Sequence, residues 1–225
     1  MSCCDGVSWS LCCGAYVFAF AGVLVTSCNV CVGTWLVFQH GFFIASCPTP
    51  ARILGRGVKR IWKEEGCSLL VGVISDSHGN RKRILEALHY LDGVDHILHA
   101  GDFYEDAKLV DSAVECKVTA VAGNCDYMVR GPFEELFVLN GYRIYLTHGH
   151  LYSVKRDLKA LVERAKELDV QVAVFGHTHT PQVSCEDGIL FVNPGSVHSP
   201  RQGYQPSIAI IDLSQRPPRA DLIFL

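Results

Sequence analysis

The chain has 225 residues, 49% of them hydrophobic and 19% charged, a balance that excludes a wholly disordered protein and fits one globular domain with some chain to spare. The formal net charge of −3 is unevenly divided: residues 1–65 hold five basic and three acidic side chains, a net of +2, which leaves −5 for the remainder. A domain of that sign lacks the Lys and Arg surplus whose counterion release drives nonspecific binding of nucleic acid, so nucleic acid is not expected as a partner.

The first element in chain order is the hydrophobic, Cys-rich segment 1–65. From Gly6 to Ala51 there is no Asp, Glu, Lys or Arg, and eight of the eleven cysteines fall within the first 67 residues. Leu11–Ser46 exceeds the roughly 20 apolar residues that a helix needs to cross a bilayer, so membrane contact, if there is any, runs through residues 11–46. The basic cluster Arg52 to Lys63 then faces the cytoplasm and places the following domain there. The competing reading is a translated leader from an upstream start codon. The first ten residues lack the basic region of a signal peptide. The Cys28/Cys31 pair has C-x-x-C spacing without a second half and is treated as incidental. Cys116, Cys125 and Cys185 are too scattered for a disulfide framework, which points to a reducing compartment and a cytoplasmic enzyme.

The second part, residues 66–225, alternates strand and helix patterns. Leu69–Ser75 is a short apolar run, a buried strand; Asn80–Leu91 follows as a helix with Ile84, Leu85, Leu88 and Leu91 on one face. Val94–Ala100 (strand), Glu105–Val114 (helix) and Lys117–Ala122 (strand) complete a βαβαβ run, which implies parallel strands. Phe133–Leu139 and Tyr142–Thr147 flank Asn140-Gly141, a hairpin turn of the I′ kind. Ser153–Leu168 reads as an amphipathic helix with Ser153 as N-cap and Leu158, Leu161, Val162 and Ala165 inward. Val170–Phe175 is a strand, Gln182–Cys185 and Ile189–Val192 a hairpin around Asp187-Gly188, and Ser207–Leu213 and Arg219–Phe224 the closing strands. Two sheets face to face with helices outside accommodate the set.

Metal-ligating residue types stand where these strands stop: Asp76 and His78 after the first, Asp102 after the second, Asn124 after the third, His148 after the hairpin, His177 and His179 after the strand ending at Phe175. Ligands of α/β sheets bind beyond the carboxyl ends of strands, so these side chains can converge although about a hundred residues separate the first from the last. Two carboxylates, one amide oxygen and four imidazoles suit two divalent ions, Mn²⁺ first and Ni²⁺, Fe²⁺, Co²⁺ or Zn²⁺ as alternatives, better than Ca²⁺ or Mg²⁺. Seven ligands are too many for one zinc and match a pair of ions sharing a carboxylate.

The motifs Asp76-Ser77-His78, Gly101-Asp102, Gly123-Asn124-Cys125-Asp126, Thr147-His148-Gly149-His150 and Gly176-His177-Thr178-His179, in that order, resemble those of the calcineurin-like metallophosphoesterases. Asn193-Pro194-Gly195-Ser196 adds a likeness to their small bacterial and archaeal YfcE-type phosphodiesterases; the resemblance covers roughly Leu69 to Leu225. It implies a four-layer αββα sandwich, an α/β fold. It also implies one ion held by Asp76, His78, Asp102 and His179 and another by Asp102, Asn124, His148 and His177, with Asp102 bridging. The implied activity is a metal-dependent phosphodiesterase in which a metal-bridging hydroxide attacks phosphorus. His150 is placed beside the site. Many members of the superfamily carry His where this chain has Cys125, and a thiol is a poor general acid near neutral pH, so a preference for good leaving groups is expected.

Other readings compete. The retromer vacuolar-sorting subunit resembles this fold and serves as a protein-interaction scaffold, but it lacks part of the ligand set. A phosphomonoesterase or a nuclease of the same superfamily is a further alternative, although the nuclease's DNA-capping domain has no counterpart after Val197. His40, His89, His96, His99 and His198 read as surface or core residues, Arg81-Lys82-Arg83 as a solvated first helical turn, and Arg201 as within reach of substrate anions. The expected substrate is a small phosphodiester; the oligomeric state is left open, a homo-oligomer among the options.

Overall fold

The structure, a computed structural model, describes residues 69–225 in full and, before them, the backbone of four strands, β1 (Ala15–Phe20), β2 (Val23–Cys28), β3 (Cys31–Val37) and β4 (Ile53–Leu54). Residues 1–49 and 50–225 form separate units. In the first, β1, β2 and β3 pair antiparallel, in place of the single helix that a span through residues 11–46 would need. The three strands are rich in β-branched and aromatic residues, which favour strand backbone. Among the described residues, no helix is long and apolar enough to cross a membrane. The side chains of the Cys28/Cys31 pair, the cluster Arg52 to Lys63 and His40 lie outside the described residues.

The second unit has two sheets. One runs β4–β14–β13–β5–β6–β7, with β5 (Leu70–Ile74), β6 (His96–His99) and β7 (Lys117–Ala120) parallel, and β13 (Ser207–Asp212) antiparallel to both β5 and β14 (Arg219–Phe224). The other runs β11–β12–β10–β9–β8, built from β8 (Glu134–Leu139), β9 (Tyr142–Thr147), β10 (Val172–Val174), β11 (Gln182–Glu186) and β12 (Ile189–Asn193).

Alternation along the strands makes four layers. On β13, Ala209 and Ile211 face the second sheet, whereas Ile208 and Ile210 face the helices; on β5, Val71 and Val73 face inward, and Leu70 and Ile74 outward. The inner cluster joins Val71, Val73 and Leu98 to Ile144, Leu146, Val174 and Val192 of the opposite sheet. Helices α1 (Arg81–Tyr90) and α2 (Asp106–Ala113) cover one outer face through Ile84, Ala87 and Val110; α3 (Lys159–Glu167) covers the other through Leu161, Val162 and Ala165 against Tyr145, Ala173 and Phe191. The architecture is the αββα sandwich that the motifs implied.

Three local expectations are corrected. Leu85 is 50% exposed; it stands about 100° around the helix from buried Ile84, and Ala87 takes the inward place instead. The helix expected over Ser153–Leu168 starts only at Lys159. Before it lie a 3₁₀ turn, His150–Tyr152, and Ser153 in the left-handed region at φ 51°, which cannot cap a helix in the usual extended conformation. The hairpins do hold the expected turns: Asn140-Gly141 at φ 48° and 80°, Asp187-Gly188 at 51° and 81°.

Candidate metal centre

All seven side chains singled out in the sequence meet at the carboxyl ends of β5, β6, β7, β9 and β10. Asp76, His78, Asp102 and His179 present ligand atoms that all lie within 4.8 Å of one another. Within that group, His179 Nε2 is 3.1 Å from Asp76 Oδ1, His78 Nε2 is 3.5 Å from His179 Nε2, and Asp102 Oδ2 is 3.9 Å from His78 Nε2. The second group forms around His148, whose Nε2 is 3.1 Å from His177 Nδ1, 3.2 Å from Asn124 Oδ1 and 3.4 Å from Asp102 Oδ1. Asp102 thus turns one oxygen to each group.

Two strand-end glycines exist for close approach. A Cβ at Gly123 would lie 2.2 Å from Asp102 Oδ1, and one at Gly176 would lie 2.1 Å from Ser75 Oγ and 2.9 Å from Asp76 Oδ2. The turns that carry these donors are also strained. Asp76, His78, Asp102, His177 and His179 all have positive φ, between 47° and 66°, where residues with a Cβ are uncommon and strain is a feature of functional sites.

Hydrogen bonds orient the donor atoms. His148 Nδ1–H donates to Ala100 O at 2.8 Å, and His179 Nδ1–H donates to Ser199 O at 2.6 Å, so in each neutral ring the bare Nε2 faces the centre. Asp76 Oδ2 accepts from Ser75 Oγ at 2.6 Å and from His177 N–H at 3.2 Å. Its other oxygen, Oδ1, is buried without a hydrogen-bond donor beyond the His179 ring. A buried carboxylate oxygen against imidazole lone pairs is unfavourable unless a cation lies among them. The converging acceptors therefore fit divalent ions, and the mixed N and O set fits a borderline transition ion.

Charges agree with that chemistry. Burial opposes an ionised Asp76, but the facing His179 and His148 rings and the Ser75 hydroxyl outweigh it and hold its pKa below the usual carboxylate value. Burial also opposes a charged His179, whose pKa the Asp76 pairing nevertheless raises. Burial, with the Lys155 ammonium nearby, pushes His177 down to about 4, and burial lowers His78 and His150. The His150 ring lies 5.4 Å from that of His148 and 5.7 Å from Phe133, with Nδ1 buried and unpartnered. Burial, then Asp102, raises the Cys125 thiol to about 11, and the Cys125 N–H donates to Asp102 Oδ1 at 3.0 Å.

Several supporting residues carry no ligand pattern in the sequence. Gly101 N–H donates to His99 Nδ1 at 3.3 Å, which sets the tautomer so that His99 Nε2–H donates to Ser77 Oγ at 3.0 Å. Ser77 in turn donates to Asp106 Oδ2 at 2.6 Å, where Gly79 N–H also donates at 2.8 Å. This buried chain fixes the turn carrying His78, so His99 does more than pack a strand. Asp126 accepts from Gly123 N–H and Tyr104 N–H, both at 2.8 Å, and holds the turn carrying Asn124. Asn193 donates to Gly176 O at 2.9 Å and Ser196 to Asp76 O at 2.8 Å, a physical reason for the Asn-Pro-Gly-Ser loop. Lys155 Nζ lies 3.4 Å from His177 Nδ1. Arg201 donates its N–H to His179 O at 3.1 Å. Arg81 and Lys82 are exposed, and Arg83 pairs with Glu86 at 2.8 Å, a solvated first helical turn as expected.

Residues 69–216 match the family described as "Calcineurin-like phosphoesterase superfamily domain". The chain is 35% identical over 142 residues to "Probable metallophosphoesterase YsnB" of Bacillus subtilis (strain 168), covering 63% of this chain and 82% of that protein. It is 32% identical over 164 residues to "Phosphodiesterase YfcE" of Escherichia coli (strain K12), covering 61% of this chain and 84% of that protein. A solved structure from Streptococcus pneumoniae TIGR4, described as a "predicted phosphoesterase", superposes with a TM-score of 0.58 at 30% identity, covering 66% of this chain and 84% of its own.

Proposed function

The chain belongs to the calcineurin-like phosphoesterase superfamily, and from that premise we propose that it is a phosphodiesterase working with two divalent ions, Mn²⁺ foremost, on a small phosphodiester. The observation that carries the reading is Asp102, whose Oδ2 faces His78 and whose Oδ1 faces His148, each oxygen in a separate group of ligand atoms. Asp76, His78, Asp102 and His179 would hold one ion; Asp102, Asn124, His148 and His177 the other. Bound there, the ions supply a water acidic enough to ionise near neutral pH and offset charge on the phosphoryl oxygens. The protein's part is orientation: the Ala100 and Ser199 carbonyls fix two imidazole tautomers, and Ser75 and His177 N–H hold Asp76 so that Oδ1 points to the centre. His150, beside the second group, is positioned to meet the substrate phosphate. Cys125 keeps its proton and is no efficient donor to a leaving oxygen, which favours esters of acidic alcohols and phenols. The complete donor set favours this reading over a pure interaction scaffold, which needs no such set.

The test is hydrolysis of bis-p-nitrophenyl phosphate against p-nitrophenyl phosphate by the full chain, stripped of metal and reloaded with Mn²⁺, alongside Asp102→Ala. Diester cleavage that returns with the metal and disappears in the variant is expected. Full metal occupancy with neither ester cleaved would end the enzyme reading in favour of the scaffold.

A further inference from the structure

The turn after β9 sets a cation at the mouth of the second donor group. Gly149 opens it at φ 93°, the 3₁₀ turn His150–Tyr152 follows, and Ser153 is left-handed again. Three anchors hold it. The Tyr152 hydroxyl binds the Glu134 carboxylate, Val154 is 6% exposed in the core cluster with Phe175, and Arg156 N–H donates to Ser153 O at 2.8 Å. Lys155 is the exposed residue between the last two, and its Nζ lies 3.4 Å from His177 Nδ1.

Several cations of the domain have acidic partners, among them Arg83 with Glu86, Lys108 with Glu105, Arg143 with Asp169 and Lys166 with Asp187; what sets Lys155 apart is its place against the second donor group. Among the described residues, Lys155 has no carboxylate within ion-pair distance; its polar partner is the imidazole of a proposed metal ligand. A cation held on a built turn, unpaired, at the open edge of a site for anions has a physical use. With His177 engaged as a ligand, the Lys155 ammonium would be left without that partner, and its four-carbon stem would let it reach a phosphate oxygen as a mobile point charge. Arg201 is the companion cation on the side of His179, and its charge is felt at both Lys155 and His179.

We propose that Lys155 is a substrate-binding residue that contacts a non-bridging oxygen of the phosphate group seated on the centre. The proposal rests on the phosphoesterase reading for its ligand, yet it is tested by binding and not by turnover alone. Isothermal titration of inorganic phosphate into the full-length, Mn²⁺-loaded protein compares the wild type with Lys155→Met and Lys155→Arg, with metal content measured in each. A charge-assisted hydrogen bond lost at a partly solvated site weakens phosphate binding in the Met variant by about tenfold. The Arg variant stays within about threefold of wild type, since it keeps the charge. With bis-p-nitrophenyl phosphate the Met variant raises KM several-fold and leaves kcat within about twofold, the pattern of binding lost equally from ground and transition states. Equal phosphate affinity in wild type and Met variant, or a Met variant that loses metal, would overturn the assignment. Lysine-dependent phosphate binding with neither ester cleaved keeps the subsite and removes the phosphodiesterase reading; turnover with equal affinities does the reverse.

Discussion

Gly123→Ala tests whether the sandwich sets the spacing of the two donor groups through backbone contact. The added methyl would stand 2.5 Å from the Asp102 backbone nitrogen, where ordinary contact begins at 3.4 Å, so the two loops must separate by about 1 Å. Neither neighbour can rotate away, because one is main chain and the other is the Oδ1 that faces His148 and accepts the Cys125 N–H. Overpacking of this kind costs about 1–3 kcal/mol. At this chain length that lowers Tm by roughly 2–12 °C. A displacement of about 1 Å in a reacting geometry costs on the order of a hundredfold in rate. The expected outcome is a folded variant that keeps one equivalent of Mn²⁺, loses most of the second, and falls about a hundredfold in bis-p-nitrophenyl phosphate turnover. Elemental analysis after gel filtration, thermal unfolding and steady-state kinetics read the three effects. Gly93→Ala is the control: φ is +85° there but nothing lies within 4 Å, so only left-handed strain of about 1–2 kcal/mol applies, with metal content and turnover intact. Two tightly bound ions and wild-type turnover in Gly123→Ala would refute the steric argument.

Further outcomes follow from particular side chains. Cys125→His replaces a thiol by an acid suited to neutral pH, and turnover of an alkyl phosphodiester rises about tenfold or more relative to the aryl diester; a fully metal-loaded variant with no gain on the alkyl ester counts against the leaving-group argument. His96, 4% exposed between Thr119 and the Phe137 ring, has its pKa pushed down to about 4 by burial and by Lys117. The unfolded chain takes up that proton first, so the contribution is intact above about pH 6.5 and is lost as pH falls toward about 4, by about 3 kcal/mol in all. Urea unfolding from pH 7.5 to 4 would show it as a slope shallower in His96→Gln than in wild type; parallel curves would disprove it.

What the sequence reveals and conceals has a physical pattern. The seven proposed ligands stand out because each follows an apolar run, and strand ends are visible from hydrophobicity alone. The parallel order of β5, β6 and β7 was equally legible, since strands separated by helices leave few other topologies. Asp106 was not, because an acidic residue at a helix start reads as a dipole partner, and its bonds to Ser77 and Gly79 depend on the packing of α2. Lys155 was hidden within an apparent amphipathic helix. Leu158, Leu161, Val162 and Ala165 carry the helical period correctly, but Val154 turns inward against Gly149, and a residue five places before the helix cannot announce that.

The positive φ values at five of the proposed ligands bear on how such a site is inherited. Asn, Asp and His are the residues other than Gly that enter the left-handed region most readily. Asp76, Asp102 and the histidines can therefore drift to Asn or Gly, with the loops keeping their path and the sandwich its shape. Asp76→Asn would keep a side chain that tolerates this turn while removing the charge, so the loops outlast the chemistry. The fold offers descendants an open route to becoming inert surfaces, and only selection on the reaction keeps that route closed.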